Sequence, residues 1–244
     1  MENITKILAR ELDRPAQHIE NIITLLDEGN TVPFIARYRK ELHGAMDDQL
    51  IRQLADRLQY LRNLQARRDE VKQSIENQGK LTEELSAAID AAATLAEVED
   101  LYRPYKQKRR TRATMAREKG LEPLALLACA QGPSVDMEAA ARDFIDPEKG
   151  VETVEDALQG ASDIVAELIS DDADLRKLLR ELYWRRASIV SKAAAKEPED
   201  SVYRLYYEFS SPLSKTQGHQ VLAMNRGERE EILKVSVEMD RETA

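Results

Sequence analysis

The stretch MDDQLIRQLADRLQYLRNLQARRDEVKQSIENQ, residues 46–78, decides the fold class. It contains no glycine or proline, and Leu50, Leu54, Leu58, Leu61, Leu64, Val71 and Ile75 recur at intervals near three and four. That spacing lays one apolar stripe along a helix of about nine turns. Gly79 supplies the stop, and Thr82 can cap the next helix. Towards the N-terminus, Ile4, Ile7, Leu8 and Leu12 share one helical face, and Ile19, Ile22, Ile23 and Leu26 share another after Pro15. Gly29 ends that second helix, and Thr31 with Pro33 can open a third short one. Residues 1–45 therefore read as a unit of three short helices resembling a helix-turn-helix.

Helical signals continue beyond the long helix. Thr94-Leu95-Ala96-Glu97 has the form of a capping box, Tyr102-Arg103-Pro104-Tyr105 reads as extended, and residues 111–119 read as a helix ended by Gly120. Pro123 can open a further helix, breakers at Gly132, Pro133, Asp146, Pro147 and Gly150 surround a short one at 137–144, and 153–169 and 173–192 form a longer pair. A helical body over 46–200 is expected. From residue 201 the character changes: 201–209 holds three of the eight tyrosines, and 217–225 reads as a helix ending at Gly227. In 232–239, Val235, Val237 and Met239 alternate with polar positions as in a half-buried strand. A single strand leaves its backbone hydrogen bonds unmade. The expectation is an all-α chain with one orphan C-terminal strand, in which 201–244 is a connector and the start of a further domain of a longer protein.

Composition agrees with helices. The 244 residues are 42% hydrophobic, 33% charged and only 5% aromatic, a balance of Leu, Ala and Ile cores with charged outer faces. The lone Cys129 excludes an intrachain disulfide and a cysteine-based zinc site, and its apolar setting at 124–130 reads as buried. No apolar run approaches the roughly 18 residues that cross a bilayer, and no signal-peptide core opens the chain, so a cytoplasmic location is expected. The three histidines lie far apart and read as surface or capping residues. No P-loop, GxGxxG, GxSxG or HExxH motif occurs, and acidic pairs such as Asp47-Asp48 sit where helices begin. No cofactor or metal and no enzymatic activity is expected.

Charge supplies the functional clue. Residues 103–119 carry eight Lys/Arg against Glu118 alone, about +7 in a chain whose net charge is −9, leaving about −16 elsewhere. A compact basic strip in an acidic chain has two readings: it contacts a polyanion, or it bridges acidic helices of the same protein. Tyr102 and Tyr105 interleave with Arg103 and Lys106 and can stack on bases. Lys108, Arg109, Arg110 and Arg112 complete the candidate contact. A second candidate is GNTVPFIARYRKE, residues 29–41, where an apolar face of Val32, Phe34 and Ile35 adjoins Arg37, Arg39 and Lys40; it is a helix-turn-helix element or scaffold alone.

Three segments carry a resemblance: GNTVPFIARYRKE at 29–41, DLYRPYKQKRRTRATMAREKGLEPLA at 100–125 and LAMNRGEREEILKV at 222–235. Together they resemble the N-terminal part of the Tex family of bacterial transcription accessory proteins, itself related to a eukaryotic transcription elongation factor. The resemblance implies an elongated, mainly helical protein that binds RNA or DNA with low sequence specificity and acts with the transcription machinery. It implies that this region, with its helix-turn-helix and long helices, precedes a resolvase-like domain, helix-hairpin-helix modules and a C-terminal RNA-binding domain. The expected role is a noncatalytic nucleic-acid-binding region; the competing one is a helical scaffold that positions later domains.

Overall fold

The computed structural model describes residues 4–107, 109–130, 135–195 and 201–240, and divides the chain into two compact units, Met1–Gln107 and Lys108–Ala244. The first unit opens with four short helices, α1 (Ile4–Leu12), α2 (Ala16–Asp27), α3 (Val32–Tyr38) and α4 (Lys40–His43). The 29-residue α5 (Asp48–Glu76) follows, then α6 (Glu83–Ala91) and α7 (Leu95–Tyr102). The Asp47 carboxylate caps α5 by accepting the Leu50 N–H at 2.8 Å, and Gly79 at φ 66° ends the segment.

One stripe of α5 builds two cores in succession. Ile51, Leu54, Leu58 and Leu61 meet Leu8, Ile19, Ile22, Leu25 and Ile35 from the short helices. Further along, Leu64, Val71 and Ile75 meet Ile89 and Val98 of α6 and α7. Four cations at five-residue spacing on α5 then tie the neighbouring helices to it. Arg57 grips Glu11 of α1 through two bonds of 2.8 and 2.7 Å, and Arg62 grips Asp27 of α2 at 2.7 and 2.8 Å. Arg67 meets Glu99 of α7 at 2.6 Å, and Lys72 meets Asp90 of α6 at 2.7 Å.

Hydrogen bonds from these arginines hold the carboxyls of Glu11, Asp27 and Glu99 below their ordinary range. Because the folded pKa lies below the unfolded one, the bridges stabilise fully above the unfolded value of about 4, and that contribution is lost as the pH falls through the lowered values. Solvent screening of these partly exposed pairs keeps each at or below about 1 kcal/mol. The melting temperature is expected to drop between about pH 5 and 3, and Arg57→Gln with Arg62→Gln to flatten the drop. A calorimetric decline of unchanged size in the double variant would remove the bridges from this account.

The second unit contains α8 (Arg112–Glu118), α9 (Glu122–Cys129), α10 (Met137–Ala141), α11 (Val154–Asp171), α12 (Ala173–Arg186) and α13 (Gly218–Arg229), with strands β1 (Ser188–Ala193), β2 (Glu208–Pro212) and β3 (Leu233–Glu238). Its helical core joins Ala113 and Ala116 of α8, Leu121, Leu124 and Ala125, Ala141, Val151, and Ala157, Ala161 and Ile164 of α11. Small residues on both α8 and α11 let the two backbones approach closely, and a capping box of Thr153 and Asp156 opens α11. The protein is mainly helical, as expected.

The strand at the C-terminal end is not an orphan. β3 pairs antiparallel with β1, which also pairs with β2, giving the order β2-β1-β3. Ile189 lies opposite Ser211 on one side and Val237 on the other. Its missing partner was hidden in 173–192, which the expectation read as one helix: α12 stops at Arg186, and the β-branched pair Ile189-Val190 is extended instead. With the ladder filled, the strand carries no argument for a further domain. Three smaller expectations also change. Residues 103–105 form a 3-10 turn, not an extended segment, since Pro104 stands where no N–H is needed. Cys129 is exposed, because α9 turns Leu124 and Ala125 inward and its last residue outward. Helix α13 runs through Gly227, where an added Cβ would lie 2.6 Å from Leu233 Cδ1, so this glycine serves close packing on β3.

Candidate nucleic-acid interface

In the first unit, Pro33 occupies the first turn of α3, and the helix turns Ile35 into the core with Val32 and Ala36 packed beside it. Several contacts hold the elbow between α3 and α4. Asn21 of α2 donates from Nδ2 to the Leu42 carbonyl at 2.9 Å. His43, expected at the surface or as a cap, is fully buried, with Nε2 3.2 Å from the Ile35 carbonyl; read as the donor, it adds a second hydrogen bond to a carbonyl that already accepts the Arg39 N–H at 3.0 Å at the end of α3. Gly44, at φ 61°, lies against the ring of His18, where any side chain would collide.

This elbow presents Arg37, Arg39 and Lys40 to solvent. None of the three forms an ion pair with a described residue. Their neighbours are aromatic: the Arg37 guanidinium carbon lies 6.0 Å from the Tyr38 ring centroid, and that of Arg39 lies 5.5 Å from the Phe34 centroid. Phe34 was assigned to the inward face with Val32 and Ile35; the structure leaves it 36% exposed and Tyr38 58% exposed. The helical period could have shown this, because a face containing residues 32, 35 and 36 places 34, 37 and 38 opposite.

The basic strip is shared between the two units. At the end of the first, Arg103 and Lys106 are exposed, and Lys106 Nζ lies 3.4 Å from Glu99. Tyr102 is engaged inside the unit: its hydroxyl meets Ser74 Oγ at 2.9 Å and its ring lies under Arg67 at 5.5 Å. Tyr105 is half-buried against the second core, and its carbonyl accepts from Gln78 at 3.0 Å. Lys108 falls outside the described residues. At the start of the second unit, Arg110 meets Glu118 at 2.6 Å in an exposed pair. Arg109 and Arg112 are exposed and form no ion pair with a described residue.

The segment carrying these arginines is fixed by α8. Thr111 caps the helix by accepting the Thr114 N–H at 3.0 Å and donates to Glu167 of α11 at 3.0 Å. Arg117 reaches the same carboxylate at 2.6 Å, and that bond raises the arginine pKa further above its ordinary value. The strip thus divides by use. Arg117, Arg110 and Lys106 bridge acids of this protein, whereas Arg109 and Arg112, with Arg37, Arg39 and Lys40 of the first unit, do not.

Among the described residues no three His, Cys, Asp or Glu side chains gather as a metal site, and no described helix is long and apolar enough to cross a membrane.

Comparison with known proteins places the chain. Residues 2–76 match the model of the Tex-like protein N-terminal domain, and residues 132–244 match that of the Tex central region-like domain. The elbow thus lies within the first model, and the strip lies in neither. The transcriptional accessory protein Tex of Neisseria gonorrhoeae is 44% identical over 236 residues, covering 96% of this chain and 31% of that protein. Protein YhgF of Escherichia coli is 44% identical over 240 residues, covering 98% and 31%. A human protein named S1 RNA-binding domain-containing protein 1 is 34% identical over 226 residues, covering 89% and 22%. The chain spans about a third of the length of its bacterial relatives. With both family models matched in order and this identity maintained along nearly its whole length, the chain belongs to the Tex family of transcription accessory proteins.

Proposed function

We propose that this region binds nucleic acid without catalysis, holding phosphates through exposed arginines and lysine as a transcription accessory element. One observation carries the reading: in a chain with nine more acids than bases, Arg37, Arg39, Lys40, Arg109 and Arg112 are exposed without an acidic partner among the described residues. Acids are plentiful, and Arg57, Arg62, Arg67 and Lys72 all find one. Cations kept apart from available carboxylates suit an external anion, and phosphate contacts of this kind carry little base specificity. The relatives' names, one for transcription and one for an RNA-binding domain, support the same class of partner.

The test is fluorescence anisotropy of labelled single-stranded RNA, single-stranded DNA and duplex DNA with this chain across a salt series. Saturable binding whose affinity falls by roughly a hundred- to five-hundredfold between 50 and 200 mM salt is expected for five phosphate contacts. Absence of binding at low salt by the folded chain would sink the reading.

A second reading, a helical scaffold that docks other domains or proteins, is favoured by α12. None of its residues is fully buried, and Leu178 and Trp184 are each 60% exposed. It predicts that replacing α12 side chains disturbs assembly and leaves nucleic-acid binding unchanged.

A further inference from the structure

We infer that the outer face of α3 is a stacking platform for single-stranded nucleic acid, on which Phe34 and Tyr38 receive bases while Arg37, Arg39 and Lys40 hold the adjoining phosphates. The inference rests on the proposed nucleic-acid binding and adds to it the strandedness of the ligand and the residues that detect it. Phe34 and Tyr38 stand one helical turn apart, with ring centroids separated by 5.3 Å and planes tilted by 44°. Neither ring belongs to the core that α3 helps to build, which takes Val32, Ile35 and Ala36 instead.

Two aromatic side chains and three cations without carboxylate partners thus crowd seven consecutive residues, 34–40, against a single neighbouring acid in sequence, Glu41. Isolated exposed aromatics are ordinary; a pair flanked by unpaired guanidinium groups is the composition that binds single strands, where every base offers a π-face and the backbone offers charge. Rings and guanidinium planes serve the same purpose, since both stack on unpaired bases. A duplex keeps its base faces stacked on one another and presents mainly phosphates, so it can use the cations and not the rings. An acidic peptide would likewise use the cations alone. The elbow is also stiff: Asn21, His43 and the Gly44–His18 contact fix α3 before any ligand arrives, so little ordering remains to oppose binding.

The experiment compares a labelled oligo-uridine strand with a duplex of equal length at one salt concentration. The proteins are the wild type, Tyr38→Ala, Phe34→Ala with Tyr38→Ala, and the ring-preserving pair Phe34→Tyr with Tyr38→Phe. The double alanine variant is expected to lose about tenfold or more in single-strand affinity and less than about twofold in duplex affinity, with an unchanged salt slope. Tyr38→Ala, at the more exposed ring, is expected to show part of the same loss with the melting temperature maintained, and the ring-preserving pair to retain wild-type affinity. Equal losses on single strand and duplex, no loss in the alanine variants, or poly-glutamate competing as well as the strand would each overturn the platform. If the wild type binds and the double alanine variant binds equally well, the platform fails while nucleic-acid binding through other cations stands. If the wild type binds neither ligand, both fail together.

Discussion

Arg109→Glu, Arg110→Glu and Arg112→Glu introduced together are expected to lower nucleic-acid affinity at about 0.1 M salt on the order of a hundredfold and to reduce the salt slope by about two. The change replaces three positive charges by three negative ones on an exposed segment, so phosphates are repelled where they were held. Folding should survive it. The Arg110–Glu118 pair is exposed and contributes at most about 1 kcal/mol. Arg112 is the first residue of α8, where a carboxylate suits the helix dipole better than a guanidinium. Cap and anchor, Thr111 and Glu167, are untouched. Circular dichroism with anisotropy separates the outcomes: full affinity in a folded variant would assign binding elsewhere and leave the strip with an architectural role.

The second large effect is structural. Gly160→Val is expected to destabilise the second unit by about 3 kcal/mol, lowering its melting transition on the order of 10 °C. Gly160 lies on α11 where α8 and the loop before α9 approach. An added Cβ would overlap Leu121 Cδ1 and lie 3.4 Å from Ala116 Cβ. Leu121 is 1% exposed and Ala116 3% exposed, so neither neighbour can swing into solvent. Gly160→Ala should cost less, because a small rotation at the end of Leu121 can relieve one methyl. Since α8 fixes the segment bearing Arg109 and Arg112, the valine variant should also weaken binding. Differential scanning calorimetry decides; an unchanged transition in Gly160→Val would mean that α11 does not pack as closely as described.

The comparison of sequence with structure follows one physical rule. Where a single face is buried over many turns, as along α5, the spacing of Leu54, Leu58, Leu61 and Leu64 shows in the chain, and caps at Thr82 and Thr94 are local enough to read. The sheet was obscure because its pairing is long-range: Ile189 finds Val237 across 48 positions, and a two-residue β-branched signal at the end of an amphipathic helix is too short to stand alone. Cys129 misled for another reason, since an unbroken apolar run carries no phase to say which residues face outward.

The candidate site divides the same way. The exposure of Arg37, Arg39, Lys40, Arg109 and Arg112 follows from charge, and the sequence could propose it. Which cations already have partners depends on side chains brought from other helices, such as Glu99 on α7 and Glu167 on α11. Phe34 was missed because it was read with the apolar face of Val32 and Ile35, and Tyr38 was given no role, although their helical phase sets both away from the face of Val32, Ile35 and Ala36.

The measurement that bears most directly on nucleic-acid binding is amide chemical-shift mapping of the isotopically labelled chain titrated with a short oligo-uridine strand. Saturable perturbations concentrated at residues 34–40 and 109–112, diminishing with added salt, are predicted. Perturbations gathered instead on the exposed face of Leu178 and Trp184, or none at saturating strand, would contradict the account and leave this region as a scaffold.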